Sequence, residues 1–491
     1  MLYIGIDLGT SAVKLILTDE KGRVLKSISK EYPISFSHAN RAEQNPRDWL
    51  DKTLEGLEAL SLGINKQEIA GIGFSGQMHG LVILDKNDEI IRPAILWNDG
   101  RTGEETEYLN TDIGKERLSE YTGNIAFAGF TAPKLLWLKK HEAQHFYAIR
   151  KIMLPKDYLV YMLSGVFSTD YSDAAGTLLL DVKNKSWSRE MLKICEIDAD
   201  MLPPIHQSDE LVGTIRPGIA EKLGFPLSVK IFAGAADNAA AAVGTGTVGN
   251  ASCNISLGTS GTVFISSERF YADPNYALHS FSHADGNYYL MGCMLSAAAC
   301  HQWWMEKILG SEAFVKEQEA IFPLGENQVY FLPYLMGERS PHNDPYAKGA
   351  FLGMNMRTER KDMYQAVLEG VAFGLRDSLE IARSLGISIR SSTISGGGAK
   401  SALWQKILAN ILNLELKLSS TQEGPAFGAA ILAAVGCREF ANIKEAAEKL
   451  IRITHRIEPD QALVQKYEEK YHIFTKLYPA LKPLFNGALK E

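Results

Sequence analysis

At 491 residues, the chain is longer than one ordinary hydrophobic core organises, so two or more domains are expected. Apolar residues make up 46% and charged residues 22%, the balance of a soluble globular protein. A net charge of -7 with no basic stripe speaks against a nucleic-acid partner.

The chain opens on Leu2-Tyr3-Ile4-Gly5-Ile6-Asp7, an alternating apolar strand with no basic flank or cleavage site, so no signal peptide is expected. Leu8-Gly9-Thr10-Ser11 reads as a turn and Val13 to Leu17 as a second strand. A turn at Asp19 to Gly22 and a third strand from Val24 to Ser29 follow. Asn45 is a plausible cap for a helix with Pro46 in its first turn. Ile69 to Phe74, Leu81 to Leu84 and Val229 to Ala233 read as further strands.

The first turn has an echo. Leu257-Gly258-Thr259-Ser260 follows an alternating run (Cys253, Ile255, Leu257) and precedes the strand Thr262 to Ile265. The same strand–turn–strand frame twice predicts two similarly built α/β domains, 1–245 and 246–491, parting near the Gly- and Thr-rich stretch Gly244 to Ala251. The second half turns helical: Lys361 to Leu385 up to Gly386, Ser401 to Leu412, and Pro425 to Val435. Ala426 to Cys437 is apolar but too short to span a bilayer, and reads as a packed helix. The tail from Pro459 to Leu481 spaces Tyr467, Tyr471, Phe474 and Tyr478 as a docking face. The five cysteines (Cys195, Cys253, Cys293, Cys300, Cys437) are scattered with no C-x-x-C pair, which fits a reduced cytoplasm better than disulfides or structural zinc.

Several of these segments carry chemistry. Glycine turns let backbone N–H groups approach phosphate oxygens, and hydroxyls add donors. Thr10-Ser11 and, with Gly258, Thr259-Ser260 are thus expected to grip a polyphosphate from opposite sides of a cleft; Lys14 adds charge or is simply solvated. Asp7 ends its strand as a poor core residue, and reads either as a magnesium ligand through waters or as a cap. Gly396-Gly397-Gly398, between a strand and a helix, suits an adenosine or is a flexible loop. Asp237 stands alone among small residues where a strand ends and an Ala-rich helix begins, and reads as a general base, a helix N-cap, or both. Gly76-Gln77-Met78-His79-Gly80 is a loop between strands, with Gln77 and His79 suited to sugar hydroxyls.

Together these motifs resemble the FGGY carbohydrate kinases over nearly the whole chain. Asp7 to Ser11 resembles the family's first phosphate motif, Leu257 to Gly261 its second, and Ser395 to Ala399 its adenosine motif. Two longer signatures also match: Gly129, Thr131, Lys134, Trp137 and His141; then Gly349, Phe351, Gly353, Asp362, Ala366 and Glu369. Ser75 to Gly80, Trp97 to Arg101, Leu154 to Tyr158 and Gly337 to His342 resemble the members that act on a ketopentose. Ser340 stands where Thr is more usual, and Ala235 and Ala236 where Gly is common.

The resemblance implies two actin-like, ribonuclease-H-like ATPase domains flanking a central cleft. It implies ATP with Mg²⁺ as cofactors and phosphorylation of D-xylulose as the reaction, another small sugar or polyol (ribulose, gluconate, glycerol) being the alternative. Phosphate and adenosine contacts fall on Thr10, Ser11, Lys14, Gly258, Thr259, Gly397 and Gly398. Sugar contacts fall on Gln77, Met78, His79 and Asn238, with Asp237 as proton acceptor. A homodimer is a family-level expectation. A non-kinase, nucleotide-gated actin-like protein is the remaining reading, because fold does not dictate function.

Overall fold

The computed structural model describes residues 1–485 apart from 39, 322 and 421–423. The first half builds a seven-stranded sheet. Strands β1 (Leu2–Leu8), β2 (Ala12–Asp19) and β3 (Val24–Glu31) form an antiparallel meander joined by the two expected turns. Helix α1 (Pro46–Ser61) begins as its sequence indicates, Asn45 accepting from the Arg47 N–H. Strand β4 (Ile69–Gly76) pairs parallel to β1. Helices α2 (Thr131–His141) and α3 (Pro155–Ser164) precede β5 (Leu211–Thr214), β6 (Lys230–Phe232) and β7 (Ala235–Ala236). The sheet order is β5-β6-β4-β1-β2-β3, with β7 also on β4. Helix α4 (Asp237–Gly244) leaves directly from β7.

The second half repeats the plan. Strands β8 (Cys253–Leu257), β9 (Gly261–Ser267), β10 (His279–Ser282) and β11 (Tyr288–Met294) are antiparallel neighbours. After the long helix α5 (Arg360–Ser384), β12 (Ser391–Ser395) pairs parallel to β8. Helix α6 (Ala402–Leu412), capped by Ser401, leads to β13 (Glu415–Ser419), again parallel. The order β10-β11-β9-β8-β12-β13-β14 includes a last antiparallel strand at Ile453–Ile457, introduced below. The motif of an antiparallel meander whose first strand pairs parallel to a later strand, which in turn takes a second parallel neighbour, occurs in both sheets, as the echoed turns predict.

Two late helices return to the first sheet. Helix α7 (Gly424–Gly436) packs on β1, β4 and α4, and α8 (Ile443–Leu450) packs on α7 and α4. Glycines permit the approach: a Cβ on Gly5 of β1 would lie 2.0 Å from the Ala426 carbonyl oxygen, and one on Gly73 of β4 2.0 Å from that of Ala429. A Cβ on Gly428 would meet the Ala240 oxygen at 1.8 Å. The chain then forms β14 (Ile453–Ile457) and the helix α9 (Gln461–Phe485). Tyr467, Tyr471, Phe474 and Tyr478 of α9 are buried, as their spacing predicts. Among the described residues, no helix is long and apolar enough to cross a membrane.

Candidate active site

The carboxyl ends of β1, β4 and β7 converge. Ser75 of β4 pairs with Asp7 on one side and with Ala235 on the other, so the strand ends bearing Asp7 and Asp237 flank one residue. The Ser75 hydroxyl donates to Asp7 Oδ1 at 2.9 Å, so Asp7 is held within its strand and is no cap. Burial pushes its pKa up to about 6, against the pull of Ser75 and the Lys14 ammonium. Lys14 is Asp7's direct partner across β1 and β2.

Asp237 is the first residue of α4; Ala236 holds the N-cap position, so the cap reading of Asp237 gives way. Its Oδ1 accepts from the Asn238 N–H at 2.7 Å and from Asn238 Nδ2 at 3.1 Å. Burial and the neighbouring Asp7 charge raise its pKa to about 7. A carboxylate poised there is suited to accept a proton near neutral pH.

A cavity of about 520 Å³ opens beside Asp237. Met78, His79, Asn238, Thr259 and Arg339 line it, so elements from both halves of the chain meet there. His79 has a left-handed backbone (φ 69°), which its surroundings fix. Its carbonyl accepts from Thr131 Oγ1 at 3.1 Å and from Lys134 Nζ at 2.7 Å. The signature residues Thr131 and Lys134 therefore shape this loop. His79 Nδ1 lies 2.5 Å from the Gly176 carbonyl, which only accepts, so that nitrogen carries the proton and Nε2 is left as an acceptor. Burial lowers the His79 pKa to about 3, keeping the ring neutral, and the ring stacks on Phe130 at 4.5 Å.

The strand end before Asp237 is anchored from behind. Lys156 Nζ lies 2.7, 3.2 and 3.8 Å from Asp157, Asp170 and Asp173, all buried, and donates to the Ala233 carbonyl at 3.1 Å. Burial alone would discharge this ammonium, but the three carboxylates hold its pKa above the usual lysine range. Asp170 also accepts from the Ser172 and Ser208 hydroxyls, and Ser172 Oγ accepts from the Ala236 N–H at 3.0 Å.

The other predicted residues divide. Gly258 and Thr259 form the second turn, whose carbonyls accept from Ala298 and Ala297 at 2.9 Å. Gly397 and Gly398 line a separate cavity of about 410 Å³ with Ala298, His301 and Trp404. The contact between residues 258–259 and 297–298 thus joins the two cavities. Thr10 is linked to the first cavity through Trp97, whose Nε1 donates to Thr10 Oγ1 at 2.9 Å. Ser11 is exposed in the same turn. Gln77 is not brought to the cavity: its Nε2 is buried against the Gly9 carbonyl (3.4 Å) and Gln44 Oε1 (3.2 Å), where it props the first turn. Alternation explains this, since neighbours in an extended run point to opposite sides. Trp97 and Arg339 were visible only as members of longer matched segments.

Among the described residues, no group of three or more His, Cys, Asp or Glu is arranged to hold a metal. Asp7 instead offers one carboxylate beside Asp237. That donor set suits an ion retaining most of its water, as Mg²⁺ does.

Two α/β halves that repeat one topology, with Asp237 and the second glycine turn lining one cavity, Asp7 acting on Asp237 from the neighbouring strand and the first turn tied to the cavity through Trp97, define a phosphoryl-transfer architecture. The chain belongs to the FGGY family of carbohydrate kinases: the family's N-terminal domain matches residues 2–244 and its C-terminal domain residues 253–437. It is 39% identical to the xylulose kinase of Bacillus subtilis (strain 168), over 99% of this chain and 98% of that one. The ligand-bound xylulose kinase of Lactobacillus acidophilus superposes with a TM-score of 0.94 at 27% identity, covering 99% of both chains. The gluconate kinase of the same organism gives 0.93 at 27% identity, covering 98% of both.

Proposed function

We propose that this carbohydrate kinase transfers the γ-phosphoryl group of ATP to the 5-hydroxyl of D-xylulose. The observation that carries the reading is Asp237, its pKa raised to about 7 by burial and by Asp7, in one cavity with Met78, His79 and Asn238. Near-full-length similarity to a xylulose kinase supports the choice of sugar.

In this reading the sugar lies against Met78, His79 and Asn238, with the neutral His79 Nε2 accepting from a sugar hydroxyl. Asp237 takes the proton of the 5-hydroxyl as its oxygen bonds to the γ-phosphorus. The bond from that phosphorus to the β–γ bridging oxygen breaks, and ADP leaves. Turn residues Thr10, Ser11, Gly258 and Thr259 hold the phosphates, with Lys14 adding charge. Gly397 and Gly398 form the floor of the adenosine site. Asp7 would hold Mg²⁺ through waters, and the ion would offset charge on the phosphate oxygens. Closure of the two halves excludes water from the cavity. The same reading keeps a reduced, cytoplasmic setting, consistent with five free cysteines, and a homodimer, to be tested by light scattering.

The gluconate kinase superposes almost as well, so the fold leaves the sugar to be decided by assay. Coupled ADP release across ketopentoses, gluconate and glycerol, with the phosphate position read by NMR, tests the reading. Highest kcat/KM for xylulose with phosphate on O5 is expected; a clear preference for gluconate or glycerol overturns it. ATP consumption independent of any sugar would point to the nucleotide-gated alternative.

A further inference from the structure

A third cavity, of about 530 Å³, lies away from the residues described above. It opens where the chain passes from α4 to β8. The passage 245–252 forms one wall, the ends of β12, β13 and β14 another, and α8 a third. Because α8 packs on α4 and α7, while the strands belong to the second sheet, the cavity lies where the helices covering the first sheet meet the second sheet.

The charge of this cavity is opposite to that of the chain. Arg390, Lys417, Lys444 and Arg456 line it against a single carboxylate, Glu448, in a protein of net charge -7. Glu415 just outside partly neutralises two of the cations: it pairs with Lys417 at 3.3 Å and with Arg456. Arg390 and Lys444 have no ion pair or side-chain hydrogen bond among the described residues, and they stand on opposite walls. Hydroxyls complete the lining. Lys417 Nζ donates to Ser391 Oγ at 2.8 Å, and the Thr247 and Thr393 hydroxyls meet at 3.1 Å across the joint. Two cations on opposite walls, without acidic partners among the described residues, lining a polar cavity rimmed with hydroxyls, match what a phosphate group requires. The walls are too polar for an apolar ligand, and one carboxylate among four cations disfavours a metal ion.

We infer that this joint cavity is a binding site for a small phosphorylated anion, distinct from the catalytic cleft. Arg390 and Lys444 clasp the phosphate from opposite walls, and the hydroxyl rim orients it. The inference stands independently of which sugar is phosphorylated, since none of these residues lines the other two cavities.

Isothermal titration calorimetry with sodium phosphate, sodium pyrophosphate and glucose 6-phosphate, at salt-matched ionic strength, tests it on the intact protein. All three probes lack adenine, and comparing them separates inorganic phosphate from a phosphomonoester. The Arg390→Ala/Lys444→Ala double variant provides the reference, because any probe bound in the catalytic cleft contributes equally to both proteins. At least one probe should bind the wild type with a Kd of about 1 mM or tighter, weakened at least tenfold in the variant. Sugar-dependent ATP turnover and Tm without probe should be unchanged, as both side chains are exposed. Equal binding by the two proteins, or no saturable heat from any probe up to about 10 mM, overturns the assignment. Lys444→Glu is the second variant: if its binding matches wild type, the site is elsewhere.

Discussion

Asp7 lies on β1 and Asp237 directly follows β7, the two strands that flank Ser75 from either side, and the charge of the first raises the pKa of the second. One carboxylate therefore tunes the other: the Asp7 charge keeps Asp237 proton-seeking.

This coupling has a pH signature. In the proposed mechanism Asp237 accepts the proton only when ionised, so kcat/KM should fall as pH drops through its raised pKa of about 7. Asp7→Asn removes a charge that raises that pKa, so the acidic limb should move to lower pH even as the rate falls. A pH profile of both proteins reads it, and an unmoved limb would mean the two groups are uncoupled.

Asp237→Asn keeps the shape and removes the base. A loss in kcat of about 10² or more is expected, with little change in KM for the sugar. Near-wild-type turnover would show that another group takes the proton.

Lys156 joins three buried carboxylates behind the Asp237 strand end. Lys156→Met leaves them without their cation and should cost about 3–5 kcal/mol of stability, read as a lower urea midpoint for the first unfolding transition. A neutral result would mean that these carboxyls take up protons at no net cost.

Trp97→Phe retains the ring and deletes the N–H that reaches Thr10. The loss of one such hydrogen bond, about 1 kcal/mol, should lower kcat/KM about fivefold while stability holds.

Close packing on the first sheet leads to the last prediction. Gly428→Val places a branched β carbon where the Ala240 carbonyl oxygen lies 1.8 Å from the ideal Cβ position. A destabilisation of about 1–3 kcal/mol is expected from thermal unfolding, larger than for the same change at the open Gly397.

Much of this was legible in the chain because it is local. Alternation marks β1 and β8, glycine and hydroxyls mark the turns after them, and a lone carboxylate among alanines marks Asp237. What was not legible depends on distant partners. Arg339 reaches the cavity from beyond the second sheet's meander, and although its segment Gly337 to His342 carries the family resemblance, residue type alone does not place its side chain there. The Lys156 cluster draws on Asp170 and Asp173, which only the fold brings to Lys156 and its neighbour Asp157. Gln77 shows the opposite failure: its residue type suits a sugar, but its position in the extended run turns it inward against Gly9 and Gln44.

Helix α7 also governs the order in which the molecule can be completed during synthesis. The first sheet's seven strands have all emerged once residue 236 has left the ribosome, yet the face of β1 and β4 that α7 covers is bare until residue 436 follows. Over that interval the nascent chain leaves uncovered a sheet face notched by Gly5 and Gly73 and flanked by Tyr3, Ile16 and Phe232, a surface chaperones can shield. Truncation anywhere before α7 would leave the N-terminal half aggregation-prone rather than free-standing.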